Sequence, residues 1–230
     1  DVARNHERYA LALQLYEKAS QVDPENVSAR IEYLTLSAEV QIEKRNESLA
    51  EAKQIVKEHM RSNFLARVCN LLYHLDRYKE VEELCRDLLA LNPPPGSEIY
   101  AQAMRDLGVS LNSQGHSEEA KDLLEQALAY APRNENLVKS YLAVLEQLKD
   151  YDARLEFARQ LVLLDPLDAN YYGYLAEAYN DKNRYAEAIR YYNSAMEWSS
   201  EADKIRYLRA KARVQLRMEL EQVFSEQNGR

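Results

Sequence analysis

This sequence predicts an all-α solenoid of stacked helix–turn–helix units, and three observations carry the prediction. First, the chain repeats itself at a 34-residue period. Tyr172, Leu175, Ala176, Tyr179, Ala188, Tyr192 and Ala195 stand in phase with Val138, Tyr141, Leu142, Leu145, Arg154, Ala158 and Leu161. Those in turn stand in phase with Met104, Leu107, Gly108, Leu111, Ala120, Leu124 and Ala127. Second, apolar residues within each repeat recur at three- and four-residue spacing, the signature of a helix with one buried stripe. Third, only 5 Gly and 6 Pro occur in 230 residues, which leaves little of the chain for loops.

Taken in order, residues 4–24 read as one helix closed by Asp23-Pro24, because the residue before a proline is pushed out of the α region. Ala12, Tyr16 and Ala19 have the spacing of Ala188, Tyr192 and Ala195, so this is the second helix of a partial unit. The sequence therefore reads as a piece of a longer array. Unit 27–61 follows, with a helix to about Lys44, a turn at Arg45–Ser48 and a helix from Leu49 to Met60. Unit 62–95 ends in Asn92-Pro93-Pro94-Pro95-Gly96, the one strong breaker cluster, expected as an enlarged inter-repeat loop rather than a hinge. Units 101–134, 135–168 and 169–202 keep the regular period. Ser200 with Asp203 resembles a capping box. It opens a capping helix, 203–224, ahead of a disordered tail at 225–230. Ile205, Leu208, Ala212, Leu216 and Leu220 are expected to cover the last repeat.

Hydrophobic residues make up 46% and charged residues 30%, a balance that fits an ordered chain with a core. There are 17 Tyr against 3 Phe and 1 Trp, which favours part-exposed packing with a wet hydroxyl end. Asp203–Arg217 holds six basic residues and one acid, +5 in a chain whose total is −8, leaving −13 elsewhere. That balance argues against nucleic acid as a partner and isolates one basic ridge, Arg206, Arg209, Arg213 and Arg217. No apolar run is long enough to insert in a membrane. Cys69 and Cys85 stand at core positions and read as small buried hydrophobes, which leans weakly toward a reducing compartment. A periplasmic setting stays open, should the longer chain carry a signal peptide.

At Met104, Leu107-Gly108, Leu111, Ala120, Leu124, Ala127 and Pro132 the sequence resembles the tetratricopeptide repeat family. The resemblance covers nearly all of residues 4–202. It departs in the missing Trp, in two longer units and in Arg154, which stands in a small Ala slot and is expected to snorkel past loose packing. The family likeness implies a right-handed superhelix whose first helices line a concave groove.

Mapped on that groove are Asn63, Asn70, Tyr73, Gln102, Arg105, Asn112, Asn136, Lys139, Glu146, Asn170, Tyr174, Glu177 and Asn180. Asn and Gln both donate and accept, so a ladder of them suits an extended peptide backbone. The carboxylate-clamp subclass does not fit, because only Arg105 and Lys139 are basic there, and Glu146, Glu177 and Asp181 oppose an acidic tail. Tyr172, Tyr179, Tyr185 and Tyr192 occupy packing slots, whereas Tyr171, Tyr174 and Tyr191 are surplus and available as anchors. The four His residues share no metal-ligand spacing, and no catalytic motif, metal site or cofactor site is read. The function expected is a non-catalytic scaffold for a protein or peptide, with neighbouring domains of the full chain as further partners. The alternative is an assembly module in a bacterial envelope, polysaccharide-export or secretion machine.

Overall fold

The computed structural model describes the backbone of residues 2–228 and the side chains of residues 8–224. Among the described residues are twelve α-helices and no strand. They are α1 (Val2–Val22), α2 (Val27–Val40), α3 (Arg45–His59), α4 (Ser62–His74), α5 (Tyr78–Ala90) and α6 (Glu98–Ser113). Then come α7 (Ser117–Tyr130), α8 (Glu135–Gln147), α9 (Tyr151–Leu164), α10 (Ala169–Asp181), α11 (Tyr185–Trp198) and α12 (Glu201–Asn228). The helices fall into two compact units, Asp1–Val144 and Leu145–Arg230. The proline loop at 92–96 lies inside the first unit.

One turn is repeated four times and defines the helix pairs. Asp76, Gly115, Lys149 and Asn183 each take a left-handed backbone, with φ of 55°, 87°, 58° and 57°. After each, the next N–H reaches back five residues: Arg77 to Leu72, His116 to Leu111, Asp150 to Leu145 and Arg184 to Tyr179, all at 2.9 Å. The left-handed residues also donate to Tyr73, Asn112, Glu146 and Asn180. These are Schellman motifs, which satisfy the orphan carbonyls at the end of each first helix. The last three left-handed residues are 34 positions apart, so the sequence period is the period of this turn.

In the first unit α2 pairs with α3 and α6 with α7, and α4 packs on α2 and α6. Gly108 permits the close approach within the α6–α7 pair: a Cβ there would fall 2.7 Å from Leu124 Cγ. Cys69 and Cys85 are free thiols in the core. In the second unit α10 and α11 form the central pair, flanked by α9 and α12. Leu155, Leu175, Tyr179, Tyr185, Tyr192 and Tyr207 build its core around the small residues Ala158, Ala176, Ala188 and Ala195.

Several local expectations are corrected. α2 ends at Val40, a short 3-10 turn spans Ile42–Lys44, and α3 begins at Arg45 rather than Leu49. Gln41 is extended, and the Arg45 guanidinium donates to Ala38 O at 2.8 Å, capping α2 from the first residue of α3. α12 continues to Asn228, past the expected end at 224, because the first breaker is Gly229. Residues 229 and 230 of the expected tail lie outside the described residues. Ser200 does cap α12, its hydroxyl accepting from Asp203 N at 3.2 Å. However, α12 covers α10 and α11 with Tyr207, Ala210, Val214 and Met218, while Ile205, Leu208, Leu216 and Leu220 are exposed.

Candidate functional site

In the first unit, α4 and α6 bring their groove residues around one group the sequence reading passed over, the buried Asp106. Gln102 Nε2 donates to its Oδ2 at 2.7 Å and Arg105 Nη1 to its Oδ1 at 2.7 Å. Tyr73 donates its hydroxyl to the Asp106 carbonyl at 2.8 Å. Burial pushes the Asp106 carboxyl above its usual range, with Arg105 and the hydrogen bonds from Gln102 and Cys69 pulling against that. Burial also raises the Tyr73 phenol and the Cys69 thiol. Gln102, Arg105 and Tyr73 are thus committed to an internal network. Asn112 is committed as well, since its Oδ1 accepts from Ser117 Oγ at 2.7 Å.

Asn63 and Asn70 are different. Both are exposed on α4, and neither amide makes an internal hydrogen bond. They line a cleft of about 320 Å³ between α2 and α4, floored by Ile31, Phe64 and the Arg67–Glu32 ion pair. Asn70 also borders a cleft of about 400 Å³ that Tyr9 and Tyr16 of α1 close from the other side. Asn136 is exposed at the start of α8, and Lys139 is paired with Glu135 at 2.7 Å. A cleft of about 510 Å³ lies elsewhere: Pro93 and Pro95 wall it with Leu89, Tyr100, Met104 and Leu123.

The second unit inverts the charge. Arg154, whose side chain is 7% exposed, pairs with Asp181 and lies 3.4 Å from both Glu146 and Glu177. Instead of snorkelling to water, it is buried and held by acids, though its Nε has no acceptor. Burial raises the Glu177 and Asp181 carboxyls, and Arg154 opposes the shift in each. Asn170 Oδ1 accepts from Arg206 and, at 3.2 Å, from the Tyr207 hydroxyl, so it ties α10 to α12. Asn180 keeps a buried Oδ1 without a donor. Among the surplus tyrosines, Tyr171 is buried, Tyr191 stacks on Tyr179 at 5.2 Å, and Tyr174 is half-buried against the core. In the basic ridge, Arg206 is engaged with Tyr207 and Asn170, whereas Arg209, Arg213 and Arg217 are exposed without an ion pair.

The repeated turn, the small residue at each helix contact and the in-phase core together define a family pattern, and comparison tests it. The family model described as tetratricopeptide repeat matches residues 101–134 and 169–201. The chain carries tetratricopeptide (TPR) repeats. It is similar to TPR repeat-containing protein YpiA of Bacillus subtilis (strain 168), at 35% identity over 81 residues. That match takes in 35% of this chain and 19% of YpiA, so the chain spans about a fifth of the relative's length. Among solved structures it is similar to a tetratricopeptide repeat protein from Parabacteroides merdae ATCC 43184, at a TM-score of 0.57 and 14% identity. The superposition covers 91% of this chain and 84% of that one. It is also similar to YrrB, described as a TPR protein with an unusual peptide-binding site, at a TM-score of 0.51 and 17% identity. There the coverage is 86% of this chain and 97% of YrrB. At these identities the structural likeness speaks for the TPR fold.

Repeats of this kind serve as scaffolds for protein–protein interaction. Asp106 and Arg154 went unrecognised as organisers. Each is a charge in an otherwise apolar or small slot, and that mismatch is the signal that finds them.

Proposed function

We propose that this chain is a non-catalytic scaffold that holds an extended peptide or protein segment against its first-helix faces. The observation that supports this reading is the free pair Asn63 and Asn70 on α4. Seven residues of helix separate them by about 10 Å along the axis. Three residues of extended chain span about the same distance. Each amide donates and accepts, so the pair satisfies a peptide N–H and C=O at both ends of that span. Between them Arg67 and Glu32 offer a charge pair that favours polar side chains on the bound segment. Asn136 in the first unit adds a further free amide of the same kind. The peptide-binding site named for YrrB makes peptide the first ligand class to try.

The test is selection of binders from a displayed library of unstructured peptides, followed by calorimetric titration of the selected peptide. Asn63→Ala with Asn70→Ala is expected to weaken binding about tenfold, roughly 1.4 kcal/mol for two lost hydrogen bonds. Thermal stability stays unchanged, because both side chains are exposed. Unaltered affinity in a folded double variant would refute the reading.

A further inference from the structure

The step from α5 to α6 carries Asn92-Pro93-Pro94-Pro95-Gly96, and its backbone is pinned at both ends. Asn92, left-handed at φ 54°, donates its N–H to Leu89 O at 3.0 Å. Ser97 donates its N–H to Pro94 O at 3.0 Å and caps α6 by accepting from Tyr100 N at 3.3 Å. Proline fixes φ, so the segment between those points is a preformed wall. Pro93 and Pro95 share with α7 the cleft of about 510 Å³, a size typical of ligand sites. α3 and α5 pack directly on each other, whereas this cleft opens between α5 and α7.

The cleft combines an apolar floor with a rim rich in acceptors. Leu89, Met104 and Leu123 supply aliphatic surface, and Tyr100, edge-on to Tyr130 at 5.9 Å between ring centres, supplies the aromatic. Glu119 and Asp122, one turn apart on α7, are both exposed there, and no basic side chain is among the described lining residues. Arg86 reaches Glu119 at 2.9 Å from outside the lining but is shared with Glu82. Pro93, Pro94 and Pro95 have no N–H, so the backbone of this wall accepts without donating. A purely apolar occupant would strip water from Asp122 without replacing it, and an anion would be repelled.

We propose that the cleft is a docking site for an arginine side chain carried, next to a large apolar residue, on a segment of a partner polypeptide. The guanidinium is planar and offers five N–H donors and no acceptor, which matches a site of carboxylates and proline carbonyls. Its stem lies on the aliphatic floor, and its plane stacks on Tyr100. The neighbouring apolar residue fills the remaining volume against Leu89 and the proline rings. Lysine is the poorer fit, because a compact ammonium has no plane to stack and no fixed fork to span two carboxylates. The chain's net charge of −8 favours the approach of such a segment. The site uses none of the amides of Asn63, Asn70 and Asn136, and so stands independently of the reading above.

The probe is the capped peptide acetyl-Gly-Leu-Arg-Gly-amide, titrated into the whole chain with its methionine methyl groups isotopically labelled for NMR. Physiological salt screens long-range attraction between exposed charges. Met104 lines the cleft and is one of 4 Met, the others being Met60, Met196 and Met218. Its methyl signal is expected to shift saturably, with a Kd on the order of a millimolar, while the other three stay in place. Replacing the arginine by citrulline, its uncharged isostere, weakens binding about fivefold. Glu119→Gln with Asp122→Asn has the same effect on the arginine peptide, with an unchanged melting temperature because both side chains are exposed. Asn63→Ala with Asn70→Ala leaves the titration unaltered. The proposal is overturned if Met104 does not shift, or if the citrulline peptide or the two-acid variant binds as tightly as the native pairing. Loss of the Met104 shift in the two-amide variant overturns it too, since the segment would then sit on α4.

Discussion

The two units solve the same packing problem with opposite charges. Around α4 and α6 a buried carboxylate, Asp106, sits among donors from Gln102, Arg105 and Cys69. Around α9 and α10 a buried guanidinium, Arg154, sits among the acceptors Glu146, Glu177 and Asp181. A buried charge is costly unless it is paired and hydrogen-bonded. Each of these centres therefore draws the neighbouring polar groups of the first helices into its own service. The lesson is that internal hydrogen bonds and ion pairs decide which polar groups of the first helices lack an internal partner. In the first unit that leaves the amides of Asn63, Asn70 and Asn136; in the second it leaves the outward edges of Glu146 and Glu177.

Breaking the second centre has the largest expected effect. Arg154→Ala is predicted to cost about 3 kcal/mol by chemical denaturation, the low end for losing a buried ion-pair partner, because Glu146 and Glu177 stay partly hydrated. Adding Asp181→Asn should recover at least half of the loss, since that carboxylate is the closest and most buried of the three. No recovery would mean that Arg154 acts through packing of its stem.

Next comes the first centre. Asp106→Ala is expected to cost about 2 kcal/mol by leaving buried donors without an acceptor. Asp106→Asn sharpens the comparison through pH. A carboxyl whose folded pKa is raised stabilises most fully below its unfolded value, about 3.9 for Asp, and that contribution is lost as pH rises through the folded value. Stability of the native chain should therefore fall across that window by more than in Asp106→Asn, measured as denaturation midpoints against pH. Parallel curves would contradict the burial assigned to Asp106.

The smallest effects come from the repeated turn, and they should differ in sign. Gly115→Ala places a side chain at φ 87° and is expected to destabilise by about 1 kcal/mol. Lys149→Gly relieves the same kind of backbone in the second unit and is expected to stabilise by about 0.5 kcal/mol, after the entropic cost of glycine. Thermal melts of the two variants check the pair together.

How much of this was legible in the sequence depends on what set each feature. The helix pairs were legible because the 34-residue period records one turn and one small-residue contact, both local. What could not be read was commitment. Asn170 looks like any groove amide until Arg206 and Tyr207, 36 and 37 residues on, are seen to bind it. Tyr191 looked surplus because its stacking partner, Tyr179, comes from another helix. On α12, Ile205 and Leu208 looked like the covering stripe because they belong to an apolar row at three- and four-residue spacing. Tyr207 and Val214 take the buried side instead.

The measurement that bears most directly on the account is a paired one, of affinity for a selected peptide and melting temperature, on Asn63→Ala/Asn70→Ala and on Asn170→Ala. The free amides should weaken binding about tenfold and leave the melt where it was. The committed amide should lower the melt, as Arg206 and Tyr207 lose their acceptor, and affect binding only as far as the fold is affected. A weakened peptide complex in Asn170→Ala with an unshifted melt, beside an indifferent Asn63→Ala/Asn70→Ala, would contradict the claim that internal hydrogen bonding decides which residues are free to bind.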